Sequence, residues 1–335
     1  MKLTIKKSVA GIIGPAFLAT SLAACGSTPT TSATSKTPAK ISIQLSWLPQ
    51  YQFAGYYVAQ AKGYYKAAHL AVTINPGGPG ITAVQNVLSG ADTVGLASPD
   101  QILKARSQGI PLKAIMVDFQ HSPTGFMVHK SSGITSPRQF AGHVVGVNFG
   151  SNTQIEFDAM MAKLHVPLSS MHQVASTFSL SPFLQKKVAV WPVFVTDEPQ
   201  LARAAGAHIR VFTPEQYGIN FYQDVMFTKS TTVSSQGSVL SRFVAATQKG
   251  WHYAISHPHQ ADAILLKVNP KLTASHLWFE TTHTIPLVAD KTTKAHGFGY
   301  MTSARWKQID TELAQLKIIP KPVAVKNAFT DQFIH

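Results

Sequence analysis

The sequence predicts an α/β fold built as two successive units with a helical wrap at the C-terminal end, and three observations carry that expectation. Short β-like runs alternate with helical patterns over residues 41–117. The alternation restarts near residue 143, and beyond about residue 227 the chain turns mainly helical. Such alternation predicts parallel or mixed sheets covered by helices on both faces. With 335 residues, 45% of them hydrophobic, the chain can bury one large core or two of ordinary size. No fixed-period repeat is present.

Residues 1–24 read as an export signal. Lys2, Lys6 and Lys7 form a basic start, and residues 9–22 are apolar and uncharged. Fourteen residues are too few to span a bilayer comfortably as a helix. The run ends in Leu22-Ala23-Ala24-Cys25-Gly26, which resembles the bacterial lipoprotein signal. The resemblance implies that Cys25 becomes the first mature residue and carries the lipid; an ordinary buried cysteine is the alternative. Cys25 is the only cysteine, so no intrachain disulfide is possible, and the folded part beyond the tether has no cysteine for a metal site or a nucleophile. Residues 26–40 are rich in Ser, Thr and Pro and read as a flexible tether.

In the first unit, residues 41–45 alternate as a strand and residues 55–68 have the spacing of an amphipathic helix. A strand over 71–74 stops at the breaker cluster 75–80, and a helix over 82–88 and a strand over 93–96 follow. Ser98 then stands as a helix N-cap with Pro99 in the first turn. A strand over 112–117 closes the unit. In the second unit, residues 143–147 form a strand and residues 149–153 a loop entering a helix through residue 161. Strands over 187–191 and 209–212 flank a helix over 198–205. Helices over 238–256, 257–268 and 302–316 make the wrap.

Charge narrows the function classes. Lys and Arg number 29 against 15 Asp and Glu, a formal net charge of +14, yet charged residues are only 13% of the chain. That is about half the usual share. The excess comes mainly from missing carboxylates. No basic run exceeds a pair, as at Lys6-Lys7 and Lys186-Lys187, which counts against a nucleic-acid binder. Carboxylates that must stay ionised to stabilise a fold fail when protonated. The acid deficit is therefore expected to record an acidic milieu.

Several segments resemble a known family. Trp47-Leu48-Pro49-Gln50-Tyr51-Gln52-Phe53-Ala54-Gly55-Tyr56-Tyr57, followed by Lys62-Gly63-Tyr64-Tyr65, resembles the opening of the SsuA-like substrate-binding proteins. That group takes in alkanesulfonate, nitrate and thiamine-pyrimidine receptors. The similarity continues at Asn75-Pro76-Gly77-Gly78, Gly95-Leu96-Ala97-Ser98-Pro99-Asp100, residues 149–158, residues 191–199 and residues 217–222. It implies a type II periplasmic-binding-protein fold, two lobes with mixed sheets and a two-strand hinge. Lobe one would hold residues 41–124 plus 224–335 and lobe two residues 125–223, with hinge strands near 125–129 and 224–228. It further implies a monomeric, lipid-anchored, extracytoplasmic receptor that hands a small molecule to an ABC permease and its ATPase, with no cofactor.

Ser98, Pro99 and Asp100 in one unit and Gly150, Ser151, Asn152 and Thr153 in the other are loop-to-helix junctions. Free backbone N–H groups and hydroxyls there suit a polar ligand atom, and simple capping serves the same positions. The resemblance places Trp47, Phe53, Tyr56, Trp191 and Phe194 in cleft-facing segments, where rings would sandwich a flat heterocycle. Ordinary core packing is the alternative for each. It also sets Glu198 where pyrimidine-binding members hold the aminopyrimidine, and Gln50 where many of them have Asn. A thiamine-type aminopyrimidine is favoured on this account, then riboflavin, then nitrate or an alkylsulfonate.

Catalysis is not expected. Fungal members of the fold build the thiamine pyrimidine with iron and a cysteine-rich motif, and the body of this chain has no cysteine. There is no G-x-S-x-G elbow and, among fourteen histidines, no HExxH, so neither a hydrolase triad nor a metal site is expected. A sensor that reports ligand occupancy to a membrane partner is the remaining alternative.

Overall fold

The computed structural model describes residues 37–177 and 179–335. Two five-stranded sheets organise those residues. The first holds β1 (Ala39–Gln44), β2 (Leu70–Asn75), β3 (Val94–Ala97), β4 (Leu112–Phe119) and β10 (Gln223–Lys229), in the order β2-β1-β3-β10-β4. The second holds β5 (Thr124–His129), β6 (Val144–Val147), β7 (His172–Ala175), β8 (Val190–Phe194) and β9 (Ile209–Phe212), in the order β7-β6-β8-β5-β9. Both are mixed: β10 runs antiparallel to β3 and β4, and β5 antiparallel to β8 and β9. The other pairings are parallel.

The chain crosses between the sheets twice, over residues 120–123 and again over residues 213–222. The strands expected near 125–129 and 224–228 are thus the inverted members of the two sheets, and the connections precede them. β5 is buried along its whole length and β10 up to its last residue. Strands covered on both faces read as continuous apolar runs.

The C-terminal helices pack on the first sheet. Along Gly237–Ser256, Leu240, Phe243, Val244, Trp251 and Ala254 are buried on one stripe. This stripe meets the helix Ala54–Ala61 at very close range. A Cβ on Gly250 would collide with the carbonyl oxygen of Gly55, and one on Gly55 would fall inside the Trp251 indole. Farther on, the tail pairs with β4, where Ala114 N donates to Ala328 O at 2.8 Å and Thr330 N to Ala114 O at 3.0 Å. That contact covers part of an otherwise open sheet edge.

Four local expectations are corrected. The helix over 55–68 is two, Ala54–Ala61 and Tyr64–Ala67, because Gly63 takes φ +72° between them. The strand over 187–191 is Val190–Phe194 instead, since Lys186 adopts φ +58° and Lys187 and Val188 both donate to Pro182 O in a turn. The tether ends before residue 40, because Ala39 and Lys40 already pair with Leu70 and Ala71. A helix at Ala274–Val288, carrying Pro286 inside it, was not anticipated. The export signal and Cys25 lie outside the described residues.

Candidate functional site

Helix N-termini after parallel strands meet both crossings at one junction. Asp100 opens the helix Pro99–Ser107 after β3, and Asn152 opens the helix Asn152–Lys163 after β6. Glu156 lies one turn beyond Asn152 on the same face. Ser122 comes from the first crossing, Thr124 from the start of β5 and Gln223 from the start of β10, just past the second crossing. These groups are all buried.

Their hydrogen bonds are lopsided. Glu156 Oε1 accepts from Ser122 Oγ at 2.7 Å, Thr124 Oγ1 at 2.9 Å and Asn152 Nδ2 at 2.6 Å. Asn152 Nδ2 also reaches Gln223 Oε1 at 3.2 Å. Glu156 Oε2, Asp100 Oδ1 and Asn152 Oδ1 have no partner at all. Burial pushes the Glu156 carboxyl up to about 7, against its three donors and with help from the charge of Asp100. Burial raises Asp100 as well.

A second polar group lies beside it in the first sheet. Asp224 is wholly buried at the start of β10 and takes φ +49°, a left-handed conformation uncommon outside glycine. It accepts from Ser46 Oγ at 2.6 Å and Gln52 Nε2 at 2.5 Å, and burial lifts it to about 6. Gln50 donates to Gln52 Oε1 at 2.9 Å, which ties the segment after β1 into this network. Asp118 lies deeper and accepts from Tyr56 Oη at 2.8 Å. Burial first, then Asp224, raises its carboxyl far above the ordinary range.

A third group joins the second sheet to the C-terminal helices. Glu198 begins the helix Glu198–Ala204 and accepts from Phe194 N at 2.7 Å. Burial and then Asp197 push it up to about 8. Asp197 pairs with His276 Nε2 at 2.8 Å, and the same nitrogen lies 3.2 Å from Glu280. Glu280 in turn accepts from Tyr51 N at 3.1 Å. Bonds to Asp197, then Glu280, raise His276 to about 10. Asp197, His276 and Glu280 set one ligand atom each within 4.8 Å of one another, a spacing that a metal ion could bridge. The imidazolium already occupies that position by bonding both carboxylates. Asp197→Ala is expected to drop the His276 pKa toward its ordinary value of about 6.5, followed by NMR of the ring. An unmoved titration would contradict the pairing.

The sequence-derived candidates therefore separate. Asp100 and Asn152 gather at the junction, with buried Ser98 and Thr153 beside them in the same helix starts. Ser151 caps its helix instead, accepting from Gln154 N at 3.3 Å and donating to Asn148 O at 2.6 Å. Phe194, Glu198 and Gln50 line the neighbouring networks, and Trp47 packs partly buried against the first core. Phe53, Tyr56 and Trp191 are placed differently from the expectation. Phe53 and Tyr56 are wholly buried in the first core, and Trp191 packs with Met127, Phe183 and Val193 in the second. Large rings on buried faces go to the core when nothing polar calls them out. Glu156, Gln223, Asp224 and His276 were not anticipated. Their signal was weak: Glu156 and Asp224 are single acids in an acid-poor chain, Gln223 and His276 ordinary polar residues, and no local pattern singles out any of the four side chains.

Against known proteins, residues 50–261 match the family described as NMT1/THI5 like. The riboflavin-binding protein RibY of Chloroflexus aurantiacus is 25% identical, over 93% of this chain and 94% of that protein. A formylaminopyrimidine-binding protein of Halalkalibacterium halodurans is 22% identical, over 87% and 89%. Among solved structures, the periplasmic aliphatic sulphonate binding protein SsuA of Escherichia coli superposes with a TM-score of 0.68 at 14% identity, covering 88% of this chain and 92% of that one. The expected periplasmic-binding-protein fold is thereby shown.

Proposed function

The chain belongs to the NMT1/THI5-like family, and from that premise we propose that it is the extracytoplasmic solute-binding component of an ABC importer, selective for a nitrogen heterocycle. A thiamine-type aminopyrimidine is the first choice. The observation that carries the reading is similarity along nearly the whole chain to two proteins named for binding such heterocycles. Riboflavin is the second reading, favoured by the breadth of the RibY match.

In this account residues 41–124 plus 224–335 form one lobe and residues 125–223 the other, and they close on the solute like a hinge. The pair between Asp197 and His276, which joins the helix after β8 to the helix Ala274–Val288, holds the closed form. Residues 1–24 direct export, and a lipid on Cys25 keeps the monomer beside its permease. The protein carries its solute without covalent chemistry.

Phe194 supplies a ring face, and Glu198, held near neutrality by its raised pKa, offers both an O–H and an acceptor to an amine and a ring nitrogen. Glu198→Ala is expected to weaken 4-amino-5-hydroxymethyl-2-methylpyrimidine at least about tenfold by calorimetry, the scale of one lost hydrogen bond to a charged or buried partner. Unchanged affinity would remove Glu198 from the site.

A further inference from the structure

Buried polar atoms without partners are costly, about 1–3 kcal/mol each, and native proteins keep few of them. Three lie at or one turn beyond the two helix starts, Glu156 Oε2, Asp100 Oδ1 and Asn152 Oδ1, and the charge of Asp100 is felt at Glu156. Their residues are 0%, 5% and 8% exposed, so bulk water does not supply the missing bonds. Capping takes part of the Asp100 carboxyl, bonded by Ser98 and by the backbone of Asp100 and Gln101, but it leaves Asp100 Oδ1 free and does not account for Asn152 and Glu156. Asn152 spends its amide N–H on Glu156 at 2.6 Å, which leaves its carbonyl oxygen free. Glu156 is anchored through one oxygen by Ser122, Thr124 and Asn152, and its other oxygen is held still with nothing to accept from. Such anchoring of one oxygen by three side chains from two elements is how a binding carboxylate is preorganised.

We propose that Glu156, Asp100 and Asn152 form an acceptor-lined subsite that reads the N–H groups of the solute, selecting an uncharged or cationic amino-substituted nitrogen heterocycle and rejecting anions. With Asp100 and Glu156 ionised, as Glu156 is above about pH 7, all three free atoms are acceptors, so only a donor satisfies them. A sulfonate or nitrate would add acceptor oxygens and negative charge beside two carboxyl groups, and like charges at such range repel strongly in a buried setting. An exocyclic amine presents two N–H donors and satisfies two of the three orphaned atoms, and a ring nitrogen reaches the third only as a protonated N–H. The subsite also spans the parts that must approach on closure. Asp100 belongs to the helix after β3, Asn152 and Glu156 to the helix after β6, and Ser122 to the crossing between the sheets. A ligand donor bridging them links the two sheets. The burial of Gln223 against Asn152 at 3.2 Å adds the start of β10, just past the second crossing.

This inference rests on the solute-binding reading and deepens it, and one experiment separates the two. The full chain, as wild type, Glu156→Gln and Asp100→Asn, is titrated by calorimetry with 4-amino-5-hydroxymethyl-2-methylpyrimidine, riboflavin and methanesulfonate, and each unliganded protein is melted. At a pH well above about 7, where Glu156 is ionised, Glu156→Gln preserves shape and the anchored oxygen while turning the free atom from acceptor into donor. Expected is heterocycle binding by the wild type, no binding of methanesulfonate, and a loss of at least tenfold in both variants. The unliganded melting temperature should hold or rise, because each variant removes a buried carboxyl. Should one variant fail to fold, the other carries the result. Wild-type binding of a heterocycle with both variants within twofold overturns the subsite and leaves the solute-binding reading standing; that is also the outcome if the three oxygens merely hold water. Methanesulfonate binding without either heterocycle, or no binding at all, overturns both.

Discussion

Trp251→Ala is expected to cost about 3–5 kcal/mol of stability, toward the upper end of that range. The side chain is wholly buried and stacks on Phe298 with ring centroids 5.2 Å apart at 23°. Removing the ring leaves a cavity whose cost depends on how far the walls can collapse. Here they cannot collapse far. One wall is the backbone of the helix Ala54–Ala61 at Gly55, already in contact with the helix Gly237–Ser256 at Gly250. The same closeness decides a conflict at Gly250 itself. Helix propensity alone would reward alanine there by about 1 kcal/mol, but its methyl group would strike the Gly55 carbonyl, and overpacking costs about 1–3 kcal/mol. Urea unfolding of Trp251→Ala with an unchanged slope checks the expectation. A loss under about 1 kcal/mol would mean that the two helices can close the gap.

The second large effect is a gain of stability on acidification. Burial holds Asp224 at about 6 and Glu156 at about 7, and burial with Asp197 holds Glu198 at about 8. In the unfolded chain such groups titrate near 4. The folded state therefore binds protons that the unfolded state has released, and stability rises as pH falls. The contribution is full below about pH 4 and is lost as pH climbs through about 6 to 8. At about 1.4 kcal/mol per unit, fully buried Asp224 and Glu156 each carry roughly 3 kcal/mol across that window. Two effects oppose it. Glu215 is held low by its bond to His121, so its share fails in strong acid. Net positive charge, already +14 with the histidines counted neutral, grows as the pH falls and adds repulsion. Repulsion among exposed charges is screened over about 8–10 Å in salt, so the buried carboxyls prevail above pH 4. The melting temperature at pH 5 should exceed that at pH 8 by several degrees. A steady fall from pH 8 to pH 5, or unfolding by pH 4, would contradict both this balance and the acidic milieu expected from the acid deficit.

These acids also show what was legible in the sequence. β4 was readable because a strand buried on both faces carries a largely apolar run, whereas β10, with Gln, Asp, Thr and Lys among its seven residues, was expected only from the family resemblance. β7, an edge strand with no buried residue, has no such pattern to read. The helix Ala274–Val288 hides behind Pro286 and a run of Thr and His, residues that weaken the usual helical signal. At the site, Asp100 and Asn152 could be found because helix starts have a local signature. Glu156 could not. A glutamate four residues into a helix looks like any solvated one until burial is known. Gln223 and Asp224 gain their positions from where the chain returns to the first sheet, a long-range fact without a short motif. The aromatic candidates show the opposite difficulty, for rings that could stack on a ligand look the same in sequence as rings that fill a core. Phe53, Tyr56 and Trp191 filled it.

The most direct test of the central claim is calorimetry of the wild-type protein against four solutes: 4-amino-5-hydroxymethyl-2-methylpyrimidine, riboflavin, nitrate and an alkylsulfonate. The aminopyrimidine is expected to bind tightest and, at about 100 times its dissociation constant, to add about 2.7 kcal/mol of stability, while the two anions bind no better than buffer. Tight binding of nitrate or the sulfonate, with neither heterocycle bound, would contradict it.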